Sequence, residues 1–361
     1  MKILLLGDFS TVNLNLKYGL ELLGHEAMLV SHGDGFKSLD TDVKVYARKQ
    51  GENKYIGALK ELKSHYQVSK QLKGFDIVQT AAHFFFHNRI DKYLFPRIFD
   101  NNKKTVLLNT ACSVPYNSFV KTLPYSACDG CKLYDLPGNV CVHETSEAKQ
   151  QEYERYKRYN AIVSTHFEYY NAFDQTEFKH KNHFIPVGIR TELFNFIDKP
   201  REEKINIYYG EIRKGFKGGH YIEEALSRIE NSSYSRFFNI IKTAKLKYSD
   251  YIKVLEKSDI LIDQASSYSY GVNALIGLAM GKVVMGGAEP EATALLTGEN
   301  TNENPIINIL PDAEDIYNKL LWLLENRALM PDIGQRGRNF VEKYHSIPEV
   351  AKKYEKLYLT L

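Results

Sequence analysis

The stretch that decides the fold is residues 263–287, which read DQASSYSYGVNALIGLAMGKVVMGG. The apolar residues of 258–263 predict a short buried strand leading into it, and residues 273–280 have the spacing of a helix that Gly281 ends. A second strand is predicted at 283–285. The order strand, loop, helix, strand is the repeating unit of an α/β fold with a parallel sheet.

The polar loop inside this stretch indicates a binding site as well as a fold. It joins the C-terminal end of a strand to the N-terminus of a helix, where backbone N–H groups lack partners and the helix dipole adds positive potential. An anionic ligand such as a nucleotide diphosphate binds well at such a point. Loops of this kind are also common in ordinary βαβ units, so the loop alone leaves both interpretations open.

A second glycine-rich loop in the C-terminal half adds positive charge. After a predicted strand at 205–209, residues 210–219 read GEIRKGFKGG and lead into a predicted helix. The basic residues Arg213, Lys214 and Lys217 suit a diphosphate, because their cations converge on it together with unpaired N–H groups. Ordinary surface charge in an exposed loop is the alternative.

The N-terminal half places polar residues at the ends of two predicted strands. The first strand, at 2–6, is followed by a turn that contains Gly7 and Ser10. A later strand is followed by His83 and His87, which flank an aromatic run. Open α/β sheets bind their ligands beyond the C-terminal ends of their strands, so we predict that these residues face a cleft. For the histidines the alternative is packing among the phenylalanines.

The segment 110–143 contains all four cysteines of the chain and is rich in Pro and Tyr. We predict that it is a long loop without regular structure. Its C-x2-C-x9-C-x-H pattern, formed by Cys128, Cys131, Cys141 and His143, offers the four donors of a structural zinc site. Clustered thiols without a metal are the alternative, and disulfides are not expected in a reducing cytosol.

Two motifs carry a resemblance to a known family. The sequence HFIPVGIRTELF at 183–194 resembles the interdomain hinge of GT-B glycosyltransferases, in which Pro186 would fix the strand exit and Gly188 would adopt a positive φ. Arg190 stands where that family has Asp. The stretch 263–287 resembles the donor-side signature of retaining GT-B glycosyltransferases of family 4, through its Y-G pair, its L-A-M-G-K run and the V-V that follows.

This resemblance covers the whole chain and implies its architecture. The implied fold class is α/β of the GT-B type, with two Rossmann-like domains facing each other across a cleft. An acceptor-binding domain is expected at 1–189, with the cysteine-rich loop 110–143 over the acceptor side. A nucleotide-sugar-binding domain is expected at 190–345, and a final helix at 346–361 is expected to cross back to the first domain.

The resemblance also implies roles for residues of the cleft. Tyr268 and Ile276 occupy the positions of two glutamates that contact the donor in the family, so Glu289 and Glu291 are predicted to replace them. Residues 244–246 are expected to line the nucleobase pocket. The remaining assignments are as follows: Lys217, Arg213 and His83 as catalytic residues; Lys214, Gly218, Tyr270, Gly271, Val272 and Asn273 as donor-binding residues; and Gly7, Ser10 and His87 on the acceptor side.

Composition limits the classes of protein that the chain can belong to. It has 361 residues, 43% apolar and 25% charged, which is typical of a globular protein of two domains. The net charge of +3, with both signs interspersed, gives no reason to expect nucleic acid as a partner. No apolar run approaches the roughly 18 residues of a membrane span, so we expect a cytoplasmic protein, with peripheral contact to the inner face of the membrane as an option.

The sequence thus predicts a retaining glycosyltransferase that moves a sugar from a nucleotide diphosphate to a hydroxyl of a glycan or lipid-linked acceptor, in surface polysaccharide synthesis. No cofactor is expected to be required for catalysis, because cationic side chains can stabilise the leaving diphosphate. A non-catalytic GT-B protein that binds nucleotide or glycan is the first alternative. A sugar-nucleotide epimerase is the second, and the hinge motif argues against it.

Overall fold

The computed structural model describes residues 1–34, 39–48, 51–134, 136, 138, 140–197, 203–211, 215–244, 246–298 and 301–361. They form two parallel β-sheets with helices packed against them. The first sheet has seven strands: β1 (Lys2–Leu6), β2 (Glu26–Ser31), β3 (Val43–Lys44), β4 (Ile77–Thr80), β5 (Lys104–Asn109), β6 (Ala161–Ser164) and β7 (Asn182–Phe184). The second has five: β8 (Ile205–Gly210), β9 (Phe238–Thr243), β10 (Ile260–Ile262), β11 (Val283–Gly286) and β12 (Ile307–Asn308).

Helices connect these strands. In the N-terminal half they are α1 (Val12–Leu22), α2 (Lys54–Ser69), α3 (Asn88–Leu94), α4 (Pro96–Asp100), α5 (Val114–Val120), α6 (Ala127–Tyr134), α7 (Ser146–Arg158) and α8 (Phe167–Asp174). In the C-terminal half they are α9 (Gly219–Glu230), α10 (Tyr248–Lys257), α11 (Val272–Ala279), α12 (Pro290–Thr297), α13 (Ala313–Glu325), α14 (Met330–Tyr344) and α15 (Ile347–Thr360).

The strand order places the loops that matter at one edge of each sheet. The first sheet runs β3-β2-β1-β4-β5-β6-β7 and the second β12-β11-β10-β8-β9, and the neighbouring strands are parallel. Parallel strands end at the same edge, so the loops after β1, β4 and β5 lie side by side, as do those after β8 and β10. The central strands are buried on both faces, as their continuous apolar sequences predict.

The chain crosses between the sheets twice. Ile189, after β7, pairs with Ser346, before α15. Helix α15 then packs on α1 so closely that a Cβ added to Gly19 would lie 2.7 Å from the Cβ of Ala351. The hinge glycine has the same kind of role: Gly188 is not among the residues with positive φ, and a Cβ there would lie 2.7 Å from Cδ1 of Ile347. The predicted positive φ was therefore wrong, and close packing explains the glycine.

The segment 110–143 differs most from its prediction. It contains α5, α6 and a 3-10 turn at Val142–Glu144 instead of a loop without regular structure. The signals for α5 were local, since Ser113 Oγ accepts a hydrogen bond from the N–H of Tyr116 at 3.2 Å and Pro115 lies in the first turn. The prediction of an irregular loop was wrong because it was based on the abundance of Pro and Tyr and overlooked the capping signals of α5.

Across the described ranges, no helix combines the length and apolar character that crossing a bilayer requires.

Candidate functional site

A cavity of about 270 Å³ lies between the two sheets, where their C-terminal edges meet. The N-terminal half contributes Ser10, Thr11 and Leu39 to its wall. The C-terminal half contributes Tyr208, Gly210, Lys217, Ala244, Leu246, Tyr248, Tyr251, Gln264, Gly271, Val272, Asn273 and Ile276. The two glycine-rich loops, more than forty positions apart in sequence, therefore meet at one cavity.

Lys217 is held in this wall by its backbone and its side chain. Its carbonyl accepts a hydrogen bond from the N–H of Ala265 at 2.9 Å, which ties its loop to the loop after β10. Its ammonium group forms an ion pair with the carboxylate of Asp263, and its side chain remains 22% exposed. Gly218 has a φ of 74°, and a Cβ there would lie 2.5 Å from Ser266 Oγ, so glycine allows the two loops to approach.

Asp263 lies behind the cavity wall and binds three of the residues that form it, Lys217, Gly271 and Asn273. Its side chain is fully buried, and its carboxylate also accepts hydrogen bonds from the N–H of Gly271 at 3.0 Å and from the side-chain amide of Asn273 at 3.1 Å. Burial by itself raises the pKa of Asp263, but Lys217 and these hydrogen bonds outweigh it and hold the pKa below its ordinary value. Asp263 is therefore ionised at neutral pH and fixes the positions of three groups that border the cavity.

This arrangement can bind an anion. An ammonium group has three N–H donors, and the exposed part of Lys217 faces the cavity while one donor is used by Asp263. Helix α11 begins at Val272 on the same wall, so the positive end of its dipole adds to the potential there. Arg213 and Lys214, predicted to act with Lys217, lie outside the described residues.

An aromatic and apolar side of the cavity adjoins this charged side. It consists of Ala244, Leu246, Tyr248 and Tyr251, and the Tyr251 hydroxyl donates a hydrogen bond to the side-chain oxygen of Asn273. Of the predicted nucleobase segment 244–246, the central residue lies outside the described ranges. A flat ring could lie against this side while an attached anion reached Lys217.

A second cavity of about 210 Å³ adjoins the first and shares Thr11, Leu39, Tyr248, Val272 and Ile276 with it. Arg190 lies in its wall. The guanidinium of Arg190 donates from Nε to the side-chain oxygen of Asn15 at 3.3 Å and lies 5.3 Å from the centre of the Tyr18 ring. The hinge arginine thus faces the cleft between the sheets.

Four predicted donor residues do not line the 270 Å³ cavity: Gly218, described above, and Tyr270, Glu289 and Glu291. The Tyr270 hydroxyl is 2.9 Å from Nε2 of His345, at the crossing between the sheets. Glu289 accepts hydrogen bonds from the Tyr125 hydroxyl at 2.6 Å and from the Asn308 amide at 2.8 Å, and Glu291 is exposed in the first turn of α12. Replacements for the family glutamates would have to lie at the cavity, and the structure places neither Glu289 nor Glu291 there.

Tyr268 and Ile276, which stand where the family has glutamates, have different surroundings. Ile276 lines the cavity. Tyr268 is 9% exposed and stacks on Phe167 of the other half, with ring centres 5.6 Å apart and an angle of 8° between planes. An aromatic contact between the two halves thus occupies the first glutamate position.

Glu168, which was not predicted from the sequence, joins the two halves next to Tyr268. It lies on α8, and its carboxylate accepts hydrogen bonds from the Ser267 hydroxyl, the N–H groups of Tyr268 and Ser269, and the Ser269 hydroxyl, at 2.5 to 3.1 Å. These four donors all belong to the loop after β10. A carboxylate of one half is thus enclosed by the loop of the other.

Helix α6 covers the glycine-rich loop that carries Lys217. A Cβ added to Gly130 would lie 1.9 Å from the carbonyl oxygen of Gly215, and a Cβ added to Gly215 would lie 2.1 Å from the Tyr134 ring. Part of the segment 110–143 therefore covers the loop of the C-terminal half that carries Lys217, and it does so with a helix, whereas the prediction placed this segment as a loop over the acceptor side.

The acceptor-side histidines lie at the C-terminal edge of the first sheet. His83 Nε2 is 3.6 Å from Oε1 of Glu152, and burial lowers the pKa of His83 to about 4 despite that carboxylate. The Nδ1 atom of His87 accepts a hydrogen bond from the N–H of Arg89 at 3.2 Å and so caps α3. Neither histidine belongs to the wall of the 270 Å³ cavity.

Of the other predicted acceptor-side residues, Ser10 lines the cavity and Gly7 does not. Gly7 has a φ of 87°, and a Cβ there would lie 3.2 Å from the Cβ of Ala81. Its neighbour Asp8 is 5% exposed, and burial raises the pKa of Asp8 to about 6. Gly7 is thus required by the backbone of the turn.

The predicted zinc ligands are not assembled as a set. Among the residues that the structure describes, no three or more His, Cys, Asp or Glu side chains are placed so that they could hold a metal ion. His143 is bonded to Glu152 instead, from Nδ1 to Oε1 at 2.6 Å. Burial raises the pKa of the Cys128 thiol to about 12, and the neighbouring Cys112, Cys131 and Cys141 contribute to the increase. His143 is therefore bonded to a carboxylate and does not serve as a ligand beside the thiols.

The residues that the sequence did not reveal share one property. Asp263, Glu168, Glu152 and Tyr125 act through partners from distant parts of the chain. Asp263 carried the clearest signal, because an acidic residue directly after a buried apolar strand must find a partner. The others lie on amphipathic or irregular segments where an acidic residue or a tyrosine is unremarkable.

Comparison with known proteins gives the fold its name. A search with protein-family models finds no match to the sequence, and neither does a search of curated proteins. Solved structures do match. Sucrose-phosphate synthase from Thermosynechococcus elongatus matches with a TM-score of 0.68 and 12% identity over 100% of this chain and 99% of that one.

HepE from Anabaena, in complex with UDP-glucose, matches with a TM-score of 0.66 and 10% identity over 100% of both chains. A glycosyltransferase from Rickettsia africae matches with a TM-score of 0.58 and 16% identity over 99% of this chain and 97% of that one. Such identities establish the fold alone. The chain has the GT-B fold, which confirms the predicted fold class.

Proposed function

We propose that the protein is a glycosyltransferase that binds a nucleotide diphosphate sugar in the 270 Å³ cavity and transfers the sugar to a hydroxyl of an acceptor. The convergence of Lys217, the start of α11 and the aromatic side at one cavity is the observation that carries this proposal. A nucleotide diphosphate needs a cation for its phosphates and a flat apolar surface for its base. The complex of HepE with UDP-glucose, a protein of the same fold, supports this choice of ligand.

In the proposed reaction, Lys217 acts on the leaving group. As the bond between the sugar and the diphosphate breaks, negative charge grows on the diphosphate, and a fixed ammonium group stabilises it without reorganising. Asp263 keeps Lys217, Gly271 and Asn273 in position before the donor arrives. Retention of the anomeric configuration belongs to the proposal through the resemblance of 263–287 to retaining enzymes, in which the leaving phosphate can itself take the acceptor's proton.

Donor cleavage tests this proposal. Purified protein is incubated with UDP-glucose, UDP-galactose, UDP-N-acetylglucosamine or GDP-mannose, and release of the nucleoside diphosphate is measured. We expect slow release from at least one donor, and a loss of about 100-fold or more in the Lys217→Ala variant. Binding without release would support a non-catalytic protein. If no donor is bound and none is cleaved, the proposed nucleotide site is contradicted.

A non-catalytic nucleotide-binding protein is the second candidate, and one observation favours it. Tyr268 is packed between the two halves and Ile276 is apolar, so neither provides a carboxylate to the donor. Glu289 is 2.6 Å from the Tyr125 hydroxyl and does not compensate. The candidate predicts that a nucleoside diphosphate and its sugar derivative bind equally well, because nothing would contact the sugar.

We further propose that the acceptor is lipid-linked and that α2 contacts the membrane surface. Tyr55, Leu59 and Ile56 on this helix are 83%, 69% and 54% exposed, and Lys54 and Lys63 are exposed beside them. Apolar side chains flanked by lysines suit an interface of acyl chains and anionic headgroups. A hollow of about 350 Å³ next to this surface is lined in part by Arg48, Lys54, Tyr55, Leu59, His87 and Arg89.

Vesicle co-sedimentation tests the membrane proposal. Phosphatidylglycerol-containing vesicles should bind the protein more strongly than pure phosphatidylcholine vesicles, and added salt should weaken the binding. The Tyr55→Ser/Leu59→Ser variant should lose about tenfold or more of its affinity. Leu359→Ser, which removes an equally exposed leucine from α15, is the matched control and should bind normally. Equal binding by all three proteins would contradict a role for α2.

A further inference from the structure

A buried carboxylate and a histidine form a pair at the acceptor edge of the first sheet, outside the cavity described above. Glu152 of α7 is 4% exposed and accepts a hydrogen bond from Nδ1 of His143 at 2.6 Å. Its other oxygen accepts from the N–H of Val114 and from the Tyr156 hydroxyl, both at 2.7 Å. Every oxygen of the carboxylate is therefore occupied, which fixes its orientation.

The charge on Glu152 decides which ring nitrogen of His143 is available. Burial alone raises the pKa of Glu152, but His143, His83, the Val114 N–H and Tyr156 outweigh it and hold the pKa below its ordinary value. An ionised carboxylate only accepts hydrogen bonds, so Nδ1 of His143 carries the proton that it donates. In the neutral ring, Nε2 is then an acceptor. Within the described ranges no hydrogen bond to Nε2 is seen, and the side chain is 14% exposed.

The pair lies at the C-terminal edge of the first sheet, the edge that borders the cleft. Val114 begins α5 directly beyond β5, and His83 lies directly beyond β4, the neighbouring strand. Both positions share an edge with Ser10 and Thr11, which line the 270 Å³ cavity. The segment that carries His143 also places Gly130 against Gly215, two residues from Lys217. The pair is therefore close to the part of the cleft where an acceptor would meet the donor.

An exposed aromatic ring lies beside His83, which in turn neighbours the pair. Phe84 is 49% exposed, and its ring meets the His83 ring edge to face with centres 5.0 Å apart. The His83 and His143 rings are 6.3 Å apart. A half-exposed aromatic ring next to a hydrogen-bond acceptor matches a sugar, which has an apolar C–H face and hydroxyl donors.

We infer that His143, oriented by Glu152, binds a hydroxyl of the acceptor sugar through Nε2, with Phe84 packing against the sugar ring. The inference rests on the proposed function and adds the acceptor subsite to it. His143 is a binding residue in this scheme, and Glu152 is a positioning residue that sets its tautomer. A purely structural role, in which His143 only anchors its segment to α7, is the alternative that an experiment must exclude.

The experiment separates acceptor binding from donor chemistry. The donor is whichever of the four nucleotide sugars named above the wild type cleaves fastest, and the acceptors are n-octyl β-D-glucoside and n-octyl β-D-galactoside. Donor hydrolysis without acceptor and the KM and kcat for transfer are measured for wild type, His143→Gln and Glu152→Gln. His180→Gln, which changes an exposed histidine bonded only locally, is the matched control. The tautomer of His143 is followed by 15N NMR of the imidazole.

We expect the acceptor KM to rise about tenfold in both variants, which corresponds to one lost hydrogen bond, with donor hydrolysis within twofold of wild type. The Glu152→Gln amide should donate to Nδ1, so the NMR signal should show the opposite tautomer. Equal losses of hydrolysis and transfer, or an unchanged KM, would overturn the inference and leave a structural role. Should wild type cleave no donor, the proposed function fails, and this subsite fails with it.

Discussion

Replacing Lys217 by methionine tests both the stability and the function of the ion pair in the cavity. The substitution keeps the length of the side chain and removes its charge. It leaves the carboxylate of Asp263, which is fully buried, without its only charged partner among the described residues. Removing one member of a buried ion pair is costly because the other charge stays in a medium of low dielectric.

The size of the effect follows from the contacts of Asp263. Breaking a buried pair costs roughly 3–5 kcal/mol. The hydrogen bonds from Gly271 at 3.0 Å and Asn273 at 3.1 Å remain and offset part of that cost. We therefore expect a loss of about 3 kcal/mol in the free energy of unfolding. The double variant Lys217→Met/Asp263→Asn should recover most of this loss, because no buried charge remains.

Urea denaturation measures this stability, and calorimetric titration with UDP measures the function. Lys319→Met is the matched control, since it breaks a partly exposed pair with Asp315 and should cost less than about 1 kcal/mol. The deficit of Lys217→Met should shrink as pH falls, because the unpaired carboxyl can then become protonated. A stable Lys217→Met protein, or a double variant that binds UDP as wild type does, would refute the reasoning.

Three other perturbations follow from the same contacts. Gly130→Ala should lower the free energy of unfolding by about 1–3 kcal/mol, because its methyl group would collide with the Gly215 carbonyl, and unchanged urea denaturation would contradict this. Glu168→Gln should cost ~2–4 kcal/mol in the same assay, since an amide cannot accept all four hydrogen bonds, and a loss under ~1 kcal/mol would count against the enclosure. For Asp8, whose pKa of about 6 in the fold exceeds the ordinary 3.8, the neutral form is favoured, so its contribution to stability declines as pH rises through that interval. Stability measured from pH 4 to 7 should therefore fall by up to about 3 kcal/mol in wild type relative to Asp8→Asn, and parallel curves would contradict the assignment.

The sequence was informative where a local pattern determines the structure. The apolar run of 258–263 and the helical spacing of 273–280 are local, and β10 and α11 lie there. Each of the two glycine-containing loops was predicted to suit a diphosphate, and Lys217 and Gly271 line the same cavity because parallel strands end at one edge of a sheet. The position of these residues follows from topology, which the alternation of strands and helices already encodes.

The sequence was uninformative where a side chain finds its partner from far away. Asp263 pairs with a residue 46 positions earlier, and Glu168 with donors 99 to 101 positions later. Glu289 was predicted at the cavity because it is near in sequence, but the hydroxyl of Tyr125 and the Asn308 amide hold it elsewhere. His143 was predicted to join three thiols because of its spacing, but the carboxylate of Glu152 lies closer. Spacing along the chain does not rank such competing partners.

The most direct measurement of the central claim is a crystal structure of the protein with a nucleoside diphosphate sugar that it binds. The diphosphate should lie within hydrogen-bond distance of Lys217 Nζ near the start of α11, with the base against Ala244, Leu246 and Tyr248. A nucleotide bound at another surface, or one in the cavity with its phosphates turned away from Lys217, would contradict the account.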